Sequence, residues 1–340
     1  MIDKNLIFLI SQPRSGSTLT QRILGTHSKI YTRSEPWIML NSMYEFKKDG
    51  ISAEYNKTWE YNAAQDFIDN LPDGGKHKYN EHLRTMHLAL YDAYIKKEGK
   101  EFFLDKTPRY YLIIHELIEL FPNAKYIMLL RNPLAVLGSI INSWTKDNWS
   151  ELTKYKIDLI DGIDAILDGI EDYKDSVEVV YYEELLHDQT DIMKKTLTYI
   201  GLYFEEEILN YHQKSSEKWL YGDPVNVYQK TGIDSANDAK WTNDLKNLQY
   251  WRVMYDYLNY IGEIRYEKLG YNFSENLEIL MRNMPTDTLD QLKEQTLPLL
   301  SFLDAENESI VKYQEVIKQK NIELQKVYSS KRWKLLNLFK

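Results

Sequence analysis

The 340-residue chain is 43% hydrophobic and 27% charged, which is typical of a folded globular protein rather than a disordered one. Its formal net charge of −9 argues against duplex nucleic acid as a partner, because such binding requires many phosphates to be neutralised. Without cysteine the chain has no disulfide framework, thiol nucleophile or thiolate metal site, and its seven histidines form no HxxxH pair, so we expect no metal.

The chain opens with a strand, a tight polar loop and a helix. Residues 5–11 are predicted as a strand, 12–16 as the loop, and 17–24 as the helix. The apolar run 6–10 is too short for a signal-peptide core or a membrane span. We therefore interpret it as a buried strand and expect the protein to stay in the cytoplasm.

Strands and helices then alternate along the chain. Short apolar runs predict further strands, and amphipathic stretches predict helices; the strands are 101–104, 125–130 and 177–182, and the helices are 110–120, 191–200 and 244–262. Pro133 suits the first turn of another helix, where its missing N–H costs nothing. This alternation predicts an α/β domain with a central parallel sheet, covering residues 1–275.

The segments between the strands also have predicted characters. Residues 53–97 and 151–175 should be helical insertions over one edge of the sheet. Residues 215–242 are rich in Gly, Asp, Asn and Ser and are predicted as a long loop, which at that length is usually functional or disordered.

Residues 285–340 are predicted as a separate C-terminal helical extension. Ile310, Ile317 and Leu324 recur every seven residues, which indicates a solvated helix or a short coiled coil that could form a homodimer. Residues 331–340 form a basic amphipathic tail. Two interpretations of this tail stay open: contact with a membrane surface or partner helix, and packing against the domain itself.

The most informative segment is Ser11-Gln-Pro-Arg-Ser-Gly-Ser-Thr18, between the first strand and helix. Backbone N–H groups converge at such a junction, and the helix dipole favours an anion there. Gly16 allows a phosphate to approach the backbone, and Arg14 supplies a positive charge. Further hydroxyl donors come from Ser15, Ser17 and Thr18. The loop is not a Walker A motif, because no lysine precedes the Ser-Thr pair.

A second motif is a buried strand that ends in Arg131, in Tyr126-Ile-Met-Leu-Leu-Arg-Asn-Pro133, with Ser139 eight residues later. Together the two motifs resemble the sulfotransferases that use 3′-phosphoadenosine 5′-phosphosulfate (PAPS), especially the protein-tyrosine sulfotransferases and their bacterial relatives. The resemblance covers roughly residues 5–245. It implies a P-loop-type three-layer α/β sandwich with a central parallel sheet, to which the helical insertions and the C-terminal extension predicted above are added.

The resemblance also implies roles for individual residues. Glu35 is the general base, with Arg14 and Lys106 stabilising charge on the leaving group. Residues expected to bind the donor are Arg14, Ser15, Gly16, Ser17 and Thr18 around the 5′ end, Arg131, Ser139 and Lys230 at the 3′-phosphate, and Tyr182 in a strand-end YExL motif. Lys230 precedes Trp241 by eleven residues, as in the late donor-covering loop of that family. No bridging metal is required, because a sulfuryl group carries less charge than a phosphoryl group.

We expect the acceptor to be a hydroxyl of a carbohydrate or lipid-linked sugar, used at the inner face of the membrane. Two other functions remain open from sequence. One is an ATP-dependent P-loop small-molecule kinase, which the missing loop lysine disfavours. The other is a non-catalytic nucleotide-binding scaffold, which would leave Glu35 and Lys106 without a purpose.

Overall fold

The computed structural model describes residues 3–212 and 238–285, apart from the single residues 49, 52, 73 and 147. Lys230, most of the predicted 215–242 loop, the heptads and the basic tail lie outside the described residues. Within those ranges, no helix has both the length and the apolar character needed to cross a bilayer.

The described residues form strands alternating with helices, as predicted. The strands are β1 (Leu6–Ser11), β2 (Ile30–Ser34), β3 (Phe102–Lys106), β4 (Lys125–Leu130) and β5 (Val177–Tyr181). The helices up to β4 are α1 (Ser17–Gly25), α2 (Ile38–Tyr44), α3 (Lys57–Asp69), α4 (Gly75–Glu98) and α5 (Ile114–Leu120). Those beyond β4 are α6 (Pro133–Ile140), α7 (Gly162–Asp172), α8 (Tyr182–His187), α9 (Gln189–Ile200), α10 (Leu248–Lys268) and α11 (Phe273–Arg282).

The five strands form one parallel sheet in the order β2-β3-β1-β4-β5. Every neighbouring pair is parallel, so all the carboxyl ends meet at one edge of the sheet. The register places Ser34 at the end of β2 beside Lys106 at the end of β3. It places Ser11 at the end of β1 beside Leu129 of β4.

Successive side chains of a strand point to opposite faces of the sheet, and a hydrophobic core lies on each face. On β1, Leu6, Phe8 and Ile10 belong to one core, and Ile7 and Leu9 belong to the other. The first core is covered by helices that include α2, α4, α5, α6, α7 and α10. The second is covered by α1, α8 and α9. The domain is therefore the three-layer sandwich that the sequence predicted, with a sheet buried on both faces.

The structure differs from the predicted elements at three places. The last long helix does not end at Gly262: α10 runs to Lys268 with a break at Gly262, where φ is 77° and only glycine relaxes easily. Strand β2 was not predicted from its residue pattern. The predicted 110–120 helix begins as a 3-10 segment, Pro108–Ile113, before α5 starts.

The two predicted insertions are helical, but they occupy different positions. Helices α3 and α4 come from the 53–97 segment, and α4 packs against β2 and β3 at one side of the sheet. The 151–175 segment contains α7 and packs against α5 and the Pro108–Ile113 segment, as part of the crossover from β4 to β5.

Replacement of Phe8 by alanine should strongly destabilise the fold. Phe8 is fully buried, and its ring centre lies 5.5 Å from that of Tyr126 and 5.8 Å from that of Phe121. We expect Phe8→Ala to lower the free energy of unfolding by about 3–5 kcal/mol in urea denaturation, because it leaves a cavity. Phe67→Ala is the matched control, since Phe67 is 68% exposed, and it should change stability by less than about 0.5 kcal/mol. Equal effects of the two substitutions would contradict this placement of β1.

Candidate active site

The loop after β1 has the geometry of an anion site. Gly16 adopts a φ of 92° at the N-cap of α1, and because it has no side chain, the first N–H groups of the helix have no side-chain cap within the described residues. Those N–H groups are therefore available to a ligand. The Ser15 hydroxyl is buried and has no hydrogen-bond partner among the described residues. Such an atom would gain a bond from an anionic oxygen placed in the loop.

The Tyr182 ring packs against Gly16 of the loop. A Cβ added at Gly16 would lie 2.3 Å from the Tyr182 ring, so only glycine fits there. The Arg131 guanidinium lies over the same ring, 4.5 Å from its centre, and donates a 2.8 Å hydrogen bond to the Arg14 carbonyl. The structure thus brings together the ends of β1, β4 and β5 through three residues that the sequence singled out.

Arg14 reaches toward the helix after β4. Its Nε donates to the Ser139 hydroxyl at 3.1 Å, and a terminal nitrogen donates to the Ser143 hydroxyl at 3.2 Å. Its guanidinium also lies 5.6 Å from the centre of the Trp144 ring. The sequence assigned Arg14 to the 5′ end of the donor and Ser139 to the 3′-phosphate, whereas here the two side chains are in contact. Ser143 was missed, although its i+4 spacing from Ser139 could have revealed it.

Glu35 and Lys106 form an ion pair at the ends of β2 and β3. Lys106 is fully buried, and its Nζ donates to Glu35 Oε1 at 2.8 Å. The Glu35 N–H also donates to the Lys106 carbonyl at 2.9 Å. The Glu35 side chain is 17% exposed, so it is partly accessible to a ligand. The ion pair lies at the same edge of the sheet as the loop.

A second ion pair lies next to the first. Arg109 donates to both carboxylate oxygens of Asp158, at 2.7 Å and 2.6 Å. Asp158 is fully buried and also accepts from Tyr111 at 2.7 Å, while the Gln12 side chain donates to its carbonyl. These hydrogen bonds raise the pKa of Arg109 above its ordinary value, so it stays charged. This pair could not be predicted, because nothing in the local sequence of either residue indicates the other.

Asp105 is a buried carboxyl group at the end of β3, beside Lys106 in the chain. It accepts hydrogen bonds from the hydroxyls of Tyr91 at 2.6 Å, Tyr110 at 3.1 Å and Thr107 at 2.8 Å. Burial raises its pKa from 3.8 to about 6, although the three hydroxyl donors act in the opposite direction. The residue fixes the backbone from which Lys106 projects.

The structure brings most of the predicted site residues to one edge of the sheet. Ser17 and Thr18 begin α1 in the same loop, whereas the position of Lys230 is outside the described residues. Over residues 3–212 and 238–285, no three His, Asp or Glu side chains are grouped as metal ligands. An open cavity of about 560 Å³ lies at the opposite edge, between residues such as Lys4 and Lys125, and contains none of these groups.

Comparison with known proteins assigns a family to this arrangement. A profile described as "Sulfotransferase family" matches residues 6–206, which is more than half of the chain and contains the loop and both strand ends. Among curated proteins, nodulation protein NoeE of Sinorhizobium fredii is 33% identical over 139 residues, covering 41% of this chain and 32% of NoeE. Protein-tyrosine sulfotransferase A of Caenorhabditis elegans is 23% identical over 215 residues, covering 61% of this chain and 52% of that protein.

The chain thus spans about a third of NoeE and about half of the C. elegans protein. Among solved structures, the sulfotransferase domain of the Synechococcus PCC 7002 olefin synthase is 25% identical, with a TM-score of 0.46. That match covers 70% of this chain and 87% of the domain.

The contact between Gly16 and Tyr182 can be tested by double-mutant analysis. Gly16→Ala should destabilise the protein more than Gly201→Ala, because both glycines have φ near 92° but only Gly16 faces a neighbouring ring. We expect an excess of about 1–3 kcal/mol in urea denaturation, from overpacking. In a Tyr182→Ala background the excess should disappear. An excess that persists without the Tyr182 ring would refute the contact.

The raised pKa of Asp105 predicts that the stability of the protein depends on pH. Its pKa is higher in the folded state than the ordinary 3.8, so its contribution to stability is fully present below pH 4 and is lost as the pH rises through about 6. Asp105→Asn removes this titration while keeping the shape. The unfolding free energy of wild type relative to the variant should therefore fall by about 3 kcal/mol between pH 4 and pH 7. A difference that is constant with pH would contradict the raised pKa.

Proposed function

This chain belongs to the sulfotransferase family, and from that premise we propose that it transfers a sulfuryl group from PAPS to a hydroxyl of a carbohydrate or lipid-linked sugar. One observation carries the proposal. A partly accessible carboxylate, Glu35, is paired with a fully buried ammonium group, Lys106, at the sheet edge that also presents the anion loop.

The residues of the loop fit the phosphorylated end of such a donor. The free amides at the start of α1 and the unpartnered Ser15 hydroxyl would hold its 5′ oxygens. Arg131, Ser139 and Lys230 would hold the 3′-phosphate, and the Tyr182 ring would support both Arg131 and the loop. When bound, PAPS supplies an activated sulfuryl group on a good leaving group.

Arg14 would exchange partners when an anion enters. It now donates to two neutral hydroxyls, Ser139 and Ser143. A hydrogen bond from a guanidinium to a charged oxygen is roughly twice as strong as one to a neutral acceptor. A phosphate or sulfate oxygen would therefore displace the serines, and Arg14 would then stabilise charge on the departing group, as the resemblance implies.

Glu35 would act as the general base. An acceptor hydroxyl has a pKa far above neutral, so its proton must be removed while the new S–O bond forms. Lys106 holds Glu35 Oε1, which leaves Oε2 as the oxygen that faces an acceptor. The ammonium of Lys106 would also stabilise negative charge that develops on the leaving oxygen. Its complete burial strengthens such an interaction, because no water screens it.

The acceptor class and the cellular location belong to the proposal as well. A chain of 340 residues without cysteine is suited to a reducing compartment, where disulfides are rare. We therefore place the reaction in the cytoplasm, at the membrane face where lipid-linked sugars are available. A tyrosine-containing peptide is the competing acceptor, and the assay below distinguishes the two.

The donor can be tested by calorimetric titration with adenosine 3′,5′-bisphosphate in EDTA, beside ATP with magnesium. We expect micromolar binding of the bisphosphate and little binding of ATP. Arg131→Ala should weaken the bisphosphate at least tenfold, because one guanidinium bond to a phosphate is lost. Binding of ATP but not of the bisphosphate would overturn the proposed donor.

The base can be tested in the same preparations with PAPS and a panel of glycosides, a polyprenyl-linked sugar and a tyrosine peptide. Glu35→Gln should lower turnover by at least about 100-fold, because proton removal is lost. Its affinity for the bisphosphate should stay within about threefold of wild type, which would show that the site is still folded after the negative charge beside Lys106 is lost. Glu171→Gln, whose side chain is 70% exposed, is the matched control. Near wild-type turnover of Glu35→Gln would exclude Glu35 as the base.

A further inference from the structure

The second oxygen of the Glu35 carboxylate also has a partner. The indole Nε1–H of Trp37 donates to Glu35 Oε2 at 3.3 Å, while Lys106 holds Oε1. The two donors bind the two carboxylate oxygens from different directions, so together they define the plane of the carboxylate. This matters because the terminal torsion of a glutamate is broad and does not set that plane by itself.

Trp37 is an uncharged donor, so its hydrogen bond orients the Glu35 carboxylate without placing a positive charge next to Oε2. A second cation on Oε2 would stabilise the carboxylate further and make it a poorer acceptor of a proton. An indole N–H orients the oxygen with a much smaller effect of this kind. Oε2 keeps a second lone pair, so it can accept the acceptor hydroxyl while it is held by Trp37.

Arg109 and Asp158 hold the indole in place. The Arg109 guanidinium lies 5.6 Å from the centre of the Trp37 ring. Two nitrogens of the Arg109 guanidinium donate to the two carboxylate oxygens of the buried Asp158. This ion pair fixes the position of the guanidinium and neutralises its charge locally. Among the described residues, Lys106 and Arg109 are charged groups that interact with Glu35, and the bond to Asp158 keeps Arg109 from competing for that carboxylate.

The backbone supports the same arrangement. Glu35 and Trp37 both have positive φ, 48° and 60°, on either side of Pro36. Residues other than glycine occupy this region only when their surroundings hold them there. The bonds to Lys106 and the contact with Arg109 provide that restraint.

We propose that Trp37 is a positioning residue that aims Glu35 Oε2 at the acceptor hydroxyl, and that the Arg109–Asp158 pair fixes Trp37 for this task. The proposal rests on the proposed function, in which Glu35 is the base. It adds a residue whose effect should appear in turnover rather than in donor binding.

The hydrogen bond from Trp37 to Glu35 can be tested by NMR, without an activity assay. Protein labelled with ¹⁵N-tryptophan has eight indole groups, and the Trp37 signal is identified by its loss in Trp37→Phe. We expect the chemical shift of that signal to change in Glu35→Gln, because the indole N–H loses its charged acceptor, and to stay unchanged in Glu171→Gln. A Trp37 signal that ignores Glu35 would overturn the proposal, whatever the enzyme does.

The positioning role can be tested by kinetics with the best acceptor of the panel. Trp37→Phe keeps a ring for Arg109 but removes the N–H, so kcat should fall about tenfold while KM for PAPS stays within about twofold. Trp59→Phe is the matched control, since Trp59 is 75% exposed, and it should change neither quantity.

The outcomes separate the two proposals. An unchanged kcat in Trp37→Phe would refute the positioning role even if the indole signal responds to Glu35→Gln. Wild-type protein that binds the bisphosphate but transfers sulfuryl to no acceptor would refute the proposed reaction, and with it the role of Trp37 in turnover. The response of the indole signal to Glu35→Gln would still decide whether Trp37 donates to Glu35.

Discussion

Strand β1 has no exposed side chain, because each of its residues is buried against one helical layer or the other. A central strand that is covered on both faces offers no polar surface along its length. Polar and charged side chains that serve a ligand must therefore project where the strands end. Since all five strands are parallel, these ends lie at one edge, and the loop after β1, the β2–β3 ion pair and Arg131 meet there. Ligands of open α/β sheets bind at this edge for the same reason.

The features that depend on local sequence could be predicted. The strand-loop-helix motif around Gly16, the strand ending at Arg131 and the alternation of strands and helices each require only neighbouring residues. Strand β2 could not be found from its pattern, because Tyr31, Thr32 and Arg33 break the apolar run between buried ends. The break at Gly262 was mistaken for a helix end, since a glycine with positive φ commonly marks one.

The residues that support the site were missed for a different reason. Trp37, Arg109 and Asp158 lie far apart in the chain, and their contacts exist only after the sheet and its crossovers have formed. None has a spacing that indicates the others. Ser143 is the exception, because it follows Ser139 by one helical turn and shares its contact with Arg14. Short-range motifs thus identify groups that touch a ligand more readily than groups that hold those in place.

Four residues other than glycine have positive φ in the described parts of the chain, and three of them are Arg14, Glu35 and Trp37. A backbone held this way costs about 1–3 kcal/mol for each residue. Glycine at any of these positions would relax the chain and at the same time remove a side chain that the proposed reaction requires. Substitutions at the sheet edge that raise the thermal stability of this protein are therefore expected to lower its activity. Stabilising substitutions that preserve activity should instead lie elsewhere in the fold.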